Sequence, residues 1–544
     1  MAFRIRLILT LFCFLASKYV LFADSTTDAI NQREHFEKQK EVFEKLQKRH
    51  DENIIRYDVK KPELLPTKEE PCFEIKLIKD EGITLLLESE KEFYYRPYIG
   101  KCTTLTELSN LTKQLSALYL EKGYVTSQVY LKPQNIASGE VTLFALEGKI
   151  KSITPDERSI HYAFMGQEGD FLNLRNLEHA IETMNRLPSN HAKMDLVPSD
   201  EVGYTDVSVE NNTTSRLNGS VGINNFGTKK TGDKQGTLSL NLDNPLGIND
   251  QFAINLNSTD QHFHNENSIG DGYEYSFPIE RLLATLSYRK SHYAQYIYGG
   301  INRYESKGNT KTYTLALNYK LFHNEVHRIS IGSSLSHYET KNYLSDALIE
   351  TSSYELSNAS GMVDYMYQSA GFYSYIALNY VKGTDWFNAS NPTSLNAKYT
   401  LYTIDASLAK RFDAFQYTLS GHYQHSNDQL FSTNQISIGG HYSVRGYQKE
   451  GLSGNTGYYL RNELSYTAPS KLLEYFEPTY FIALDGGEIK KEADTNGGKL
   501  LSDAFGLKLK RGDFDMSLYY TMPLYKKDVS TTQNFFGVSA TYRF

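Results

Sequence analysis

From residue 211 to its end the chain alternates apolar and polar positions with a period of two, the pattern of strands whose two faces meet different surroundings. Leu238, Leu240 and Leu242 share one face, as do Phe252, Ile254 and Leu256. Tyr313, Leu315, Leu317, Tyr319 and Leu321 follow, then Phe372, Ile376, Leu378 and Tyr380, then Phe415, Tyr417 and Leu419, then Phe514, Met516, Leu518 and Tyr520. Ser, Asn, Thr and Lys fill the positions between. A soluble sheet of this kind needs a helix or a second sheet over its apolar face, and this stretch encodes neither. The pattern predicts a closed transmembrane antiparallel β-barrel, and at roughly 20 residues per strand and connection, residues 211–544 allow about 16 strands. Asp243-Asn244-Pro245-Leu246-Gly247-Ile248-Asn249-Asp250 is rich in turn formers and reads as a tight connection between two early strands.

Residues 72–210 carry a different pattern. Phe73, Ile75 and Leu77 alternate as a strand, and Thr104-Leu105-Thr106-Glu107 is a capping box that opens a helix. Leu105, Leu108, Leu111, Leu115, Leu118 and Tyr119 supply the buried face of that helix, and Gly123 closes it. Strands over Tyr124–Leu131 and Glu140–Glu147 complete a module over residues 72–148. A second module, residues 149–210, repeats the order. It has a strand over Lys149–Thr154, then a helix capped by Asn173 with Leu174, Leu177, Ile181 and Met184 inward. Pro188 stops that helix before strands over Ala192–Val197 and Tyr204–Val209. Two small α+β modules in tandem each leave an open sheet edge, which can capture an extended peptide by adding a strand.

Ahead of the modules, residues 1–23 have basic Arg4 and Arg6, an apolar run from Leu7 to Ala16, and Ala23 before Asp24, which predicts a secretory signal peptide. Residues 24–50, with a sparse stripe of Phe36, Val42, Phe43 and Leu46, predict one amphipathic helix. Residues 51–71, with Pro62, Pro66 and Pro71, predict a linker. Cys13 lies in the signal, so Cys72 and Cys102 remain, and in an exported protein they predict one disulfide.

Composition narrows the class further. A formal net charge of −7 with 22% charged residues gives no basic face for nucleic acid. Tyr 42 against Trp 1, with a mean hydropathy of −0.49, excludes a helical membrane protein but suits a barrel whose strands hide every second residue from lipid. The tyrosines then predict interfacial girdles. Export, an even cysteine pair and this composition place the chain in the envelope of a Gram-negative bacterium.

Two polar features interrupt the barrel pattern. Ser443-Val444-Arg445-Gly446-Tyr447 lies between Gly439-Gly440 and Gly451 and Gly454. Gly446 permits a sharp turn, and Arg445 brings a fixed charge that must face the lumen and find a partner there. In Tyr480-Phe481-Ile482-Ala483-Leu484-Asp485, alternation puts Tyr480, Ile482 and Leu484 toward lipid and Asp485 toward the lumen.

Cys72-Phe73-Glu74-Ile75, Ile99-Gly100-Lys101-Cys102, Gly123-Tyr124-Val125-Thr126-Ser127 and Leu146-Glu147-Gly148 resemble the first polypeptide-transport-associated (POTRA) domain of two-partner-secretion transporters. Asn173-Leu174-Arg175-Asn176-Leu177-Glu178 and Met184-Asn185-Arg186-Leu187-Pro188-Ser189-Asn190 resemble the second. The chain is similar to haemolysin activator and haemagglutinin-secretion proteins of the Omp85 superfamily. The resemblance implies two periplasmic POTRA modules, a 16-stranded outer-membrane barrel, an N-terminal helix that can plug the lumen, and one dedicated haemolysin- or adhesin-like exoprotein as partner. It implies that the loop around 439–457 folds into the pore, where the Val444-Arg445-Gly446-Tyr447 tip pairs with Asp485. Ala483 departs from the family's motif around that aspartate. The alternating end from Phe536 to Phe544, with Tyr542 and Phe544 last in the series, resembles the signal by which the barrel-assembly machinery recognises its clients. Outer-membrane lipid and lipopolysaccharide are the surroundings so implied.

The rival readings are an Omp85-type assembly factor, and a passive porin or surface adhesin. Two modules with a leader helix favour secretion, and the repeated modules speak against a porin. Gly451-Leu452-Ser453-Gly454 lacks the spacing of a nucleophile elbow. His262 and His264, flanked by Asp260 and Glu266, read as a hydrated loop. The sequence offers no nucleotide, metal or cofactor site, and no enzyme is expected.

Overall fold

The structure is a computed structural model that describes residues 70–260, 266–299, 301–324, 326–391, 395–448, 451–469, 471, 475–493, 495–527 and 534–544. The expected signal peptide, plug helix and nearly all of the linker fall outside the described residues, as do His262 and His264. The chain divides into two compact units, one holding the modules together with Asp243–Asp250, the other the barrel.

In the first module, parallel Leu77–Glu81 and antiparallel Gln128–Leu131 flank Glu140–Leu146. A second pair joins Cys72–Ile75 to Lys101–Thr104, and a disulfide links Cys72 and Cys102 across it. Helix Leu105–Glu121 opens on the capping box, with Thr104 N donating to Glu107 Oε2 at 2.7 Å and Glu107 N to Thr104 Oγ1 at 3.2 Å. Leu108, Leu111, Leu115 and Tyr119 are fully buried. The Tyr119 hydroxyl donates to Glu147, and burial together with that carboxylate holds the phenol above its usual pKa range. Leu105, expected inside, is 56% exposed, because the first helical position points back past the cap rather than onto the sheet. The strand expected from Tyr124 begins only at Gln128. Gly123 N bonds Leu120 O and Tyr124 N bonds Tyr119 O, so Tyr124 closes a Schellman motif instead. A short helix, Glu88–Tyr95, was not foreseen.

The second module orders Lys149–Thr154, Tyr204–Asn211 and Ala192–Pro198, with Tyr204–Asn211 central, under helix Leu174–Asn185. Asn173 caps that helix by accepting from Arg175 N at 2.9 Å. A six-residue helix, Arg158–Ala163, is again additional. The modules share structure. Val125 packs into the second core, Leu174 N bonds Gly123 O at 2.8 Å, and a Cβ on Gly148 would stand 2.1 Å from Thr126 Oγ1. Only glycine fits that crossing point.

Sixteen long antiparallel strands among the described residues close the barrel, with the two-residue Ala347–Leu348 as an accessory piece. The last strand, Phe535–Arg543, pairs with the first, Leu217–Asn224, through five residue pairs from Ser539↔Asn224 to Arg543↔Ser220. Gly219 and Phe544 exchange both backbone bonds just beyond them. Leu315, Ile376, Leu378, Tyr480, Ile482 and Leu484 point outward and are exposed, whereas Ser330, Ser336, Asp364, Asp405 and Asp485 are buried. No helix among the described residues is long and apolar enough to cross a membrane.

Candidate functional site

Between the strands Phe415–His425 and Gly457–Thr467 the chain makes its most elaborate loop, with a short hairpin of Ile436–Ile438 and Leu452–Gly454 at its neck. Its base is fixed by apolar packing. The rings of Tyr354 and Phe431 lie 4.7 Å apart, and the Tyr399 hydroxyl bonds Asn358 and Asn434. Its tip is held differently.

At the tip, Val444, Arg445 and Tyr447 are all buried. Arg445 Nε donates to Asp485 Oδ2 at 2.6 Å and Nη2 to Asp485 Oδ1 at 3.0 Å, a bidentate fork that the guanidinium geometry favours. The Arg445 backbone N reaches the same carboxylate at 3.3 Å. Asp485 lies on Glu477–Ile489 beside Arg461 of the neighbouring strand. The loop tip and the expected strand aspartate are thus brought into direct contact, and Ala483 in place of the family's residue does not keep them apart.

A second carboxylate completes the pair. Arg445 Nη1 donates to Glu463 Oε2 at 3.1 Å, and Glu463 also receives Lys508. The Phe481 ring stands 5.7 Å from the Arg445 guanidinium and 4.9 Å from Lys508 Nζ, so its face lies against both cations. Sequence reasoning passed over Arg461, Glu463 and Lys508. The signal was present, because Tyr458, Leu460 and Leu464 point outward on that strand and leave 461 and 463 facing inward.

The remaining contacts explain the small residues around the arginine. Gly446 has φ +104°, and a Cβ there would meet Ser502 Cβ and Thr521 Oγ1 at 3.0 Å, so glycine is required by conformation and by space. Tyr447 lays its hydroxyl against the carbonyls of Leu501 and Tyr525, where a register shift between Leu501 and Ser502 interrupts the ladder. A bulge leaves backbone groups unpaired, and the one Tyr447 proton is within reach of either carbonyl. His441 stacks on Phe226 of the first loop at 3.6 Å and shares a hydrogen bond of 2.7 Å with the Tyr519 hydroxyl. Gln448 bonds the carbonyls of Phe226 and Gly227. Tyr542 and Phe544 stand exposed at the end of the last strand. No cluster of metal-ligating side chains occurs among the described residues.

Residues 203–509 match the family of haemolysin secretion/activation proteins ShlB/FhaC/HecB, residues 73–148 a POTRA domain of ShlB type, and residues 144–198 a POTRA domain. The chain is 29% identical over 514 residues to the outer membrane transporter CdiB of Dickeya dadantii, covering 91% of each. To the hemolysin transporter protein HpmB of Proteus mirabilis it is 26% identical over 475 residues, 84% of this chain and 83% of that one. Its fold matches the structure of CdiB from Escherichia coli with a TM-score of 0.85 at 27% identity, covering 94% and 98% of the two chains.

Proposed function

The chain belongs to the haemolysin secretion/activation family ShlB/FhaC/HecB, and from that premise we propose how it passes a partner exoprotein through the outer membrane. The family is one of outer-membrane transporters with POTRA modules in the periplasm, and two-partner secretion is what this chain performs. The cargo is one dedicated haemolysin- or adhesin-like exoprotein, unfolded in the periplasm, and no catalysis is part of its passage.

Capture is by strand addition to a module edge, and the edges differ. Ser116 Oγ accepts from Val129 N at 2.9 Å and so occupies the outward backbone of the first module's edge strand. Asn185 does the same at Ala192, bonding its N at 2.7 Å and its O at 2.9 Å. Since antiparallel residues alternate between inward and outward bonding, Met194 and Leu196 present the next outward groups of Ala192–Pro198. The edge at Leu77–Glu81 is blunted by Lys79, Asp80 and Glu81. Ala192–Pro198 is therefore the edge we assign to cargo.

The observation that carries the mechanism is the tip of the loop, held inside the barrel by one arginine on two carboxylates. While dry, such a charge is costly to strand, about 3–5 kcal/mol for losing one partner of a buried pair. Once hydrated, an exposed pair is worth only about 0–1 kcal/mol. The latch is thus firm at rest and weak when a hydrated chain enters. The outward apolar face meets lipid and lipopolysaccharide, and Tyr542 and Phe544 present the strand end to the barrel-assembly machinery. Arg445→Ala tests the latch. Cargo in the medium should fall by about tenfold or more, the factor that 1.4 kcal/mol represents, while the barrel keeps its heat-modifiable mobility. Undiminished release would remove the latch from the mechanism.

A further inference from the structure

The outward wall of the barrel carries a groove that the passage of cargo does not use. It occupies about 570 Å³ and is lined by Tyr273, Leu286, Tyr288, Tyr313 and Leu315, with Phe387 at one end. Tyr273, Leu286, Tyr313 and Leu315 are exposed, and they share the outward face of three strands paired in register. Their rings run around the barrel in a row. Tyr273 and Tyr288 lie 6.2 Å apart, Tyr288 and Tyr313 5.1 Å, and Tyr313 and His337 6.3 Å. Phe387 closes the row, edge-on to His337 at 6.3 Å.

Phe387 is held there under strain. It lies in the connection after Phe372–Thr384 and takes φ +58°, with Asn388 beside it at +57°. A bulky residue keeps that conformation only where its surroundings impose it, and such strain gathers at ligand sites. Here Ser357 Oγ donates to Trp386 O at 2.7 Å, which ties the connection onto the outward face of the wall and buries Ser357. The connection lies on the outer side of the membrane. The modules stand in the periplasm, so the first strand, Leu217–Asn224, starts from that side. Successive strands then alternate outward and back, and both Leu282–Gly299 and Phe372–Thr384 run outward.

Cations stand above the groove. A tilted strand crosses the hydrocarbon in about 9–11 residues, and Lys290 is the ninth of Leu282–Gly299, on the same face as Tyr288. It therefore stands at the outer headgroup level, with the tyrosines just beneath. Lys341 shares the face of His337, four residues further outward. Both lysines are exposed, and neither has an ion-pair partner among the described residues. Asp271, Lys311, Glu339 and Glu355 share the row of Lys290, and Lys311 is engaged with Glu339 at 2.9 Å. Lys290 and Lys341 are two strands and one outward step apart, which by strand spacing separates their Cα atoms by roughly 12 Å. Two phosphates at the ends of a disaccharide span a gap of that order, and the single phosphate of a phospholipid does not. We propose that the groove docks one lipopolysaccharide molecule of the outer leaflet, an acyl chain lying along Tyr273, Tyr288 and Tyr313 and the two lipid A phosphates meeting Lys290 and Lys341. The inference rests on the reading that this face meets lipopolysaccharide, and it is independent of the latch, so either can fail alone.

Trp386, the single tryptophan of the chain, adjoins Phe387 and reports on the groove. The purified full chain is placed in phosphatidylcholine nanodiscs with increasing mole fractions of lipid A, without cargo. Its emission should shift to the blue and saturate, and native mass spectrometry should find one lipid A retained per chain. Lys290→Gln combined with Lys341→Gln should raise the half-saturating fraction by about tenfold or more, and the paired Arg substitutions should leave it unchanged. Lipid A stripped of both phosphates should bind the parent as weakly as intact lipid A binds the Gln variant. Phe387→Gly removes the ring and relieves the positive φ, so it should fold as readily as the parent yet bind lipid A more weakly by a similar factor. Heat-modifiable mobility checks that each barrel is folded. A parent that neither saturates nor retains lipid A overturns the site. Equal binding of the stripped lipid would make the groove a seat for any acyl chain and overturn the assignment of its headgroup. A parent that keeps a second copy of itself in place of lipid A would give the groove to that copy.

Discussion

The periplasmic arm and the barrel lumen bury their interiors by opposite means. In the arm, Leu108, Leu111, Leu115, Val141 and Leu143 pack with no exposure, and among the described residues of the two modules the one buried charge, Lys91, is paired with Asp80 and Glu88. In the barrel wall many large apolar residues are exposed, Ile482 at 62% among them, and the arginine of the loop tip inside is held by ion pairs among Arg445, Asp485, Glu463 and Lys508. Apolar packing loses its strength only when the element comes apart. An ion pair loses most of its strength as soon as water reaches it. The arm is therefore built to keep its shape under load, and the lumen is built to change.

Three substitutions break or sharpen this contrast. The largest effect is expected from Asp485→Ala, which strands Arg445 with one carboxylate at a cost of about 3–5 kcal/mol. The loop tip should leave the lumen, seen as higher conductance of the purified channel in planar bilayers. Unchanged conductance would mean that packing, not charge, holds the tip. Leu111→Ala empties the first module's core and should cost the arm about 2–5 kcal/mol, read as faster native-state proteolysis of the arm while the barrel stays heat-modifiable. If barrel and arm weakened together, their separation into two kinds of interior would not hold. The smallest is Leu196→Pro, which deletes one outward N–H of the assigned edge and is tolerated by an edge strand. It should weaken binding of the N-terminal domain of the partner exoprotein by about 0.5–1.5 kcal/mol beyond what Leu196→Ala, which empties the same place in the second core, does. Full affinity would move capture to another edge.

Much of the architecture was legible because each half repeats one periodicity. Alternation named the outward face of Tyr480, Ile482 and Leu484, and hence the inward side of Asp485. Glu463 escaped because parity gives a face but not a neighbour. That Arg461 and Asp485 sit opposite each other is a matter of register between strands, which no local pattern carries. The burial of the turn Asp243–Asp250 escaped for a related reason. Ser189 and Asp243 are 54 residues apart, and the turn's Asn, Pro and Gly fully account for its shape without revealing that a module would bury it. The modules' helix faces were readable, but Leu105 and Tyr124 lie where capping geometry overrides the 3.6-residue repeat.

The closure of the barrel bears on how the protein is made. Its first strand finds its second partner only in Phe535–Arg543, far along the chain, as the bond between Asn225 and Val538, 313 positions apart, makes plain. Until Phe535–Arg543 is made, Leu217–Asn224 is a strand with one side unmatched, and contacts of such long separation form slowly. An unclosed sheet of this size invites aggregation. The nascent chain must therefore cross the periplasm shielded and unfolded, the condition proposed above for its cargo.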